Sequence, residues 1–146
     1  MKIKTKIKSY INDFEPIIKQ VDNSTIWFLK DSADKDLKQS VYDAHEGSYP
    51  KDYIYGTYLC ILENLLNYDI ENIDDIDDIR HELVDSMVDI YTYDLTEWLH
   101  SDNSNVYYLD KAINEYGCKN GFELLATAQY IAIDEVFEYV FNLLKD

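Results

Sequence analysis

Between Glu71 and Ile90 two stripes run along the chain in the same phase, one apolar and one acidic. An α-helical residue turns about 100°, so with Asp75 at zero, Ile76, Ile79, Leu83, Met87 and Ile90 fall between about 40° and 120°. On the same wheel Glu71, Asp75, Asp78, Glu82, Asp85 and Asp89 fall between about 280° and 360°, roughly opposite. The acids step by four, three, four, three and four, the spacing of one helix face. Asn72 is a good N-cap, and Asp75 three residues later completes a capping-box pattern. The expectation is one long helix from Asn72 to about Leu99. Glu71 joins its acidic stripe only if the helix starts a turn before that cap.

This pattern excludes two readings of "DIENIDDIDDIR", residues 69–80. A floppy acidic tail has no reason to keep an apolar stripe in register. A calcium-binding EF-hand loop needs oxygen ligands at alternate positions and a glycine at the sixth. Starting at Asp69, the fifth position is Ile73 and the sixth Asp74; starting at Asp75, they are Ile79 and Arg80.

The rest of the chain also carries helical spacing. Ile3, Ile7, Tyr10, Ile11, Phe14, Ile17, Ile18 and Val21 predict a helix over 3–21, kinked or split at Pro16. "NSTIWFL" then suits a short strand near 25–29 or the first turn of a helix. A helix over about 34–44 turns Leu37 and Val41 inward and ends at Gly47. Another, over about 53–67 and capped near Asp52, is apolar on most sides, which marks a central helix. "SDNSN" reads as a loop. Residues 105–116 read as a helix ended by Gly117. Asn120 with Glu123 opens a strongly apolar C-terminal helix over 121–144. The fold class that follows is all-α: a single-domain bundle of five to seven helices, with the helices at 53–67 and 121–144 as its core. Its 146 residues, 47% apolar, suffice for one buried core without disulfides.

Charge narrows the function. Residues 1–51 hold nine lysines against eight acids, a near-neutral N-terminal part, whereas residues 52–146 hold four basic residues against 21 acids. The larger part of the domain repels nucleic acid and anionic membranes and attracts basic surfaces. No run of 18 uncharged apolar residues occurs, and "MKIKTKIKSY" has no apolar stretch behind its lysines, so neither a membrane span nor a signal peptide is expected. Cys60 and Cys118 form no CxxC pair, which favours free thiols in a host-cell cytoplasm.

Motifs for catalysis are missing. There is no GxSxG, Walker or glycine-rich phosphate loop. His45, His81 and His100 lack partners at metal-ligand spacing and read as surface or packing residues. The expectation is a protein without enzymatic activity, metal or cofactor. Tyr91, Tyr93, Tyr107 and Tyr108 flank the acidic helix, as interface aromatics or as core.

The acids themselves have two readings. Carboxylates in the first turns of a helix favour its macrodipole, and the remainder can simply be solvated. Alternatively the stripe meets a basic partner. Literal imitation of DNA is too dense for it: one charge per ~5.4 Å of helix compares with one per ~3.4 Å of a DNA strand. Asp74 and Asp77, or acids from elsewhere such as Asp134, Glu135 and Glu138, would have to thicken it.

"ELVDSMVDIYTYDLTEWL", residues 82–99, resembles a motif of small acidic proteins encoded by phages and plasmids, and "NEYG" and "ATAQYIAIDEVFEYV" fit the same group. The resemblance covers roughly residues 79–141 and brings no assigned functional residues. Its mobile-element context implies a role like that of proteins that block host defence, among them anti-CRISPR inhibitors of Cas9. Charge, size and resemblance together give the expected function: inhibition of a basic host nucleic-acid enzyme, a Cas9-type nuclease or a restriction enzyme, by protein–protein binding. The expected contact residues are Glu71, Asp74, Asp75, Asp78, Glu82, Asp85, Asp89, Tyr91 and Tyr93. Alternatives are an immunity or antitoxin protein that neutralises a basic nuclease, and a DNA-mimic anti-restriction protein.

Overall fold

The computed structural model describes residues 2–19, 24–46, 51–88 and 105–145. Six helices and one two-stranded antiparallel sheet make up the described part. In chain order these are α1 (Ile3–Ile11), β1 (Phe14–Lys19), β2 (Ser24–Leu29), α2 (Lys35–His45), α3 (Lys51–Leu65), α4 (Ile73–Met87), α5 (Asn105–Tyr116) and α6 (Gly121–Leu144). The protein is mostly helical, as its periodicity requires.

The first helix is shorter than its spacing predicts. α1 buries Ile7 and Tyr10 and stops at Ile11, after which the chain turns and runs back as a hairpin. Pro16 accounts for much of this. It donates no backbone hydrogen bond, and it disfavours the α conformation at Glu15 before it. The β-branched and aromatic run after Ser24 then offers a partner, and Pro16 pairs opposite Trp27. Alternation replaces helical phase: Phe14 is buried, Glu15 exposed, and Ile17, expected inward, is 47% exposed. Val21 lies outside the described residues.

The hairpin is tied down at its base. The Lys30 N–H donates to the Asp13 carbonyl at 2.8 Å, and the Lys30 ammonium donates to the Asn12 carbonyl at 2.5 Å. Asp13 also accepts from the Asp34 N–H at 3.2 Å, while Asp34 caps α2 by accepting from the N–H groups of Asp36 and Leu37. Leu37 and Val41 point inward as the spacing predicts. Gly47, the expected stop, lies outside the described residues, and Glu46 is the C-cap.

The core forms around α3 and α6, the two helices whose apolar residues fill most of the circle. α3 buries Ile54, Tyr58, Leu59, Ile61, Leu62 and Leu65. α6 buries nine residues, from Ala128 to Leu144. All six helices and Phe14 of β1 contribute to one cluster, against which Trp27 and Leu29 of β2 pack. A hydrogen-bonded seam crosses it: the Tyr58 and Ser40 hydroxyls lie 2.6 Å apart, and the Ser40 hydroxyl also donates to the Tyr139 carbonyl at 3.3 Å. This joins α2, α3 and α6 through groups that burial would otherwise penalise.

Two helix ends follow the sequence closely. α5 ends at Gly117, whose φ of 67° is open to glycine without a Cβ penalty. The Gly117 N–H reaches the Ile113 carbonyl at 3.1 Å, the bond of an αL cap. At the start of α6 the Asn120 side chain accepts from the Glu123 N–H at 2.8 Å and donates to the Glu123 carboxylate at 3.0 Å. The reciprocal bond is thus side chain to side chain, a variant of the box that the sequence suggests.

Candidate functional site

The acidic helix starts where expected. The Asn72 side chain accepts from the N–H groups of Asp74 and Asp75, at 3.0 and 3.2 Å. The Asp75 carboxylate reaches back to the N–H groups of Glu71 at 2.7 Å and Asn72 at 3.2 Å. The capping box is complete. It also reassigns two residues of the predicted stripe. Asp75 serves the helix start, and Glu71 precedes the helix instead of lying on its face.

α4 ends earlier than its spacing predicts. It stops at Met87, and Val88 is extended with φ −73° and ψ 127°. From Val88 the sequence reads "VDIYTY", β-branched and aromatic residues that lose side-chain freedom in a helix. One turn earlier the Ser86 hydroxyl donates to the Leu83 carbonyl at 2.6 Å, a local bond that competes with the helical ladder. Asp89, Ile90, Tyr91 and Tyr93 lie outside the described residues, as does His100.

Within α4 the two faces separate as the phase demands. Ile76, Leu83 and Val84 are buried, and Ile79 and Met87 are partly covered. Asp74, Asp77, Asp78, Glu82 and Asp85 are exposed. None of these five carboxylates forms an ion pair among the described residues. From Asp74 to Asp85 the face spans roughly 16 Å of helix. Its charge is felt by neighbouring phenols. Tyr68 is pushed up by desolvation and then by Glu82. Tyr130 is pushed up by burial, Asp134, Asp85 and Tyr116, against the opposing pull of Arg80.

The acids of α6 do not thicken this face. Arg80, the chain's one arginine, lies at about 140° on the same helical wheel, beside the apolar stripe. From there it reaches across to α6. Its Nε donates to the Asp134 carboxylate at 2.7 Å, one terminal nitrogen bonds Glu138, and the other donates to the Asp134 carbonyl at 3.1 Å. The guanidinium carbon sits 5.1 Å from the centre of the Phe137 ring. Partial burial works against the charge of Arg80, and the two carboxylates more than offset it, so its pKa is raised. Glu135 is occupied too. It accepts from the Tyr108 hydroxyl at 3.0 Å and pairs with Lys111 at 3.6 Å. Asp134, Glu135 and Glu138 thus have partners within the fold, whereas the carboxylates of the α4 face have no ion-pair partner among the described residues.

The remaining described candidates divide by burial. Tyr108 is fully buried, whereas Tyr107 is exposed at 45% with the Lys111 ammonium 5.5 Å from its ring centre. His81 makes a 2.7 Å hydrogen bond through Nδ1 to the Tyr130 hydroxyl, linking α4 to α6. His45 packs edge-on against Tyr55, ring centres 4.8 Å apart. Among the described residues no three His, Cys, Asp or Glu side chains are grouped to hold a metal ion. No described helix is long and apolar enough to cross a membrane.

Sequence reasoning missed the Arg80 clamp. The available signal was a lone arginine at the edge of an apolar stripe, with two acids four apart on another helix.

Comparison with known proteins finds no match: no protein family, no curated protein and no solved structure corresponds to the chain.

Proposed function

We propose that the protein is a non-enzymatic inhibitor that docks its α4 face on the basic surface of a nucleic-acid enzyme of a host defence system, with a Cas9-type nuclease as the first target to test. The observation that supports this reading is the contrast between two sets of acids. Asp134, Glu135 and Glu138 have partners within the fold, whereas Asp74, Asp77, Asp78, Glu82 and Asp85 are exposed with no ion-pair partner among the described residues. A row of unneutralised carboxylates on a firmly capped helix is pre-organised for a row of cations. It steers a basic partner at a distance and fixes its register on contact.

Spacing favours a protein partner's lysines and arginines over literal imitation of DNA. Asp74, Asp78, Glu82 and Asp85 place one charge per roughly 5 Å of helix, sparser than a DNA strand. Such an inhibitor acts where its target works, in the host cytoplasm. The test is affinity capture of the tagged protein from host cells carrying defence systems, with the captured proteins identified by mass spectrometry. A basic nuclease as the main captured protein supports the reading. Capture of a small toxin instead would favour an immunity protein, and turnover of a phosphate substrate would favour an enzyme.

A further inference from the structure

A second feature lies away from α4. Between β2 and α3 a cleft of about 390 Å³ opens to solvent, large enough for a side chain or small ligand. Trp27 of the hairpin lines it, and Gly56 and Leu59 of α3 supply its non-polar surface. Gly56 presents no side chain, and a Cβ built there meets nothing within 4 Å, so the glycine leaves room instead of avoiding a clash.

The polar residues of the cleft offer three acceptor groups, the Glu63 carboxylate and the side-chain carbonyls of Asn64 and Asn67. Glu63 lines it and has no ion-pair partner among the described residues. The Asn64 amide nitrogen is already committed, donating to the Cys60 carbonyl at 2.8 Å and the Cys60 sulfur at 3.3 Å. What Asn64 retains is its carbonyl oxygen. Asn67 adds a second carboxamide. Among the described residues no lysine, arginine or histidine lines the cleft. An anionic ligand would therefore find no counter-charge among the described lining residues, on a chain whose net charge is −16. An indole beside a carboxylate and two carboxamides matches one common group well. A guanidinium is planar, cationic and donor-only; it stacks on indole and forks onto a carboxylate. A lysine ammonium is a point charge that can do neither in the same way.

We propose that this cleft receives the guanidinium of an arginine presented by a partner protein, stacked on Trp27 and hydrogen-bonded to Glu63 and the Asn64 and Asn67 carbonyls. That the arginine belongs to a basic protein rests on the function proposed above; the chemistry of the cleft does not. Such an arginine is a specific anchor, where the α4 face supplies attraction spread over many charges.

The test is a fluorescence titration of the full chain. A Trp98→Phe background leaves Trp27 as the sole tryptophan. The probes are acetyl-Gly-Arg-Gly-amide, its lysine counterpart, and Nα-acetyl-arginine amide, in about 0.15 M salt, where exposed charges are screened beyond about 8 Å. The arginine peptide is expected to change the Trp27 signal saturably and to bind roughly five-fold or more tighter than the lysine peptide. Glu63→Gln, an isosteric change at an exposed position, is expected to weaken it by a similar factor, with the thermal melt unchanged. Lysine binding as well as arginine, or Glu63→Gln binding as well as the parent, overturns the proposal. Nα-acetyl-arginine amide carries the same guanidinium and is expected to bind within a few-fold of the peptide; binding of the amide far tighter than the peptide overturns docking of a protein segment and leaves a site for small guanidinium compounds. A chain with Asp78, Glu82 and Asp85 reversed to lysine keeps its peptide affinity within about two-fold, because those charges lie on another helix and are screened. Undiminished target capture by this reversed chain would therefore remove the proposed α4 docking face and leave the cleft standing.

Discussion

Arg80 on α4 and Asp134 on α6 are joined twice, by a 2.7 Å bond from Nε to the carboxylate and a 3.1 Å bond from a terminal nitrogen to the backbone carbonyl. The clamp fixes which side of α4 faces α6, and so which side presents free acids. Arg80→Ala leaves Asp134 and Glu138 close together without their cation. The pair is partly solvated, with Arg80 23% and Asp134 33% exposed, which limits the loss to about 1–2 kcal/mol. Arg80→Lys recovers only part, since an ammonium cannot reach the carboxylate and the carbonyl as a fork. Urea denaturation of the three proteins checks the order.

The capping box separates acids that hold the fold from acids that face outward. Asn72→Ala and Asp75→Ala each remove bonds to backbone N–H groups and are expected to cost about 1 kcal/mol. Asp78→Asn and Glu82→Gln break no ion pair among the described residues and stay within about 0.5 kcal/mol of the parent. Thermal melts of the four variants test this; equal losses at Asp75 and Asp78 would contradict the assigned role of Asp75.

The buried side of α4 carries the stability of the whole face. Leu83 is fully buried in the core cluster. Leu83→Ala is expected to cost about 2–5 kcal/mol, enough to loosen the acidic helix from the domain. A shift in the urea midpoint with little change in its slope would show that the loss is one of stability.

Tyr58 makes stability fall at high pH. Burial pushes its phenol well above the usual tyrosine range, and the hydrogen bond with Ser40 only partly opposes this. With the folded pKa above the unfolded one, the contribution is fully present below about pH 10. It is lost as pH rises from there toward the folded value, because the unfolded chain ionises first. Tyr58→Phe removes a hydrogen bond worth about 1 kcal/mol at neutral pH, yet flattens the alkaline decline. Denaturation curves at neutral and alkaline pH measure both effects.

Much of the helical architecture was legible because long amphipathic stretches leave little choice. The phase of Ile76 and Leu83 against Asp78 and Glu82 settles the inward face of α4 before any tertiary contact is known. Caps at Asn72, Asn120 and Gly117 were legible for the same reason: their chemistry is local. The hairpin was half legible. The strand at 24–29 was an open alternative, but its partner was hidden, since Phe14 and Ile17 also satisfy helical spacing and only pairing with β2 breaks the tie. The end of α4 at Met87 was missed because the apolar phase runs on to Ile90 while side-chain propensity falls away. Neither the Arg80 clamp nor the Trp27 cleft could be read from spacing, because each joins residues far apart in the chain.

The central claim is that the free acids of α4 form the binding face. The most direct measurement compares target binding by the parent chain with that of a chain carrying Asp78, Glu82 and Asp85 reversed to lysine, alongside thermal melts of both. Asp75 stays in place so that the helix cap is intact. The account predicts that the reversed chain melts within a few degrees of the parent and loses both capture and inhibition of the enzyme. A reversed chain that binds and inhibits as well as the parent would contradict it.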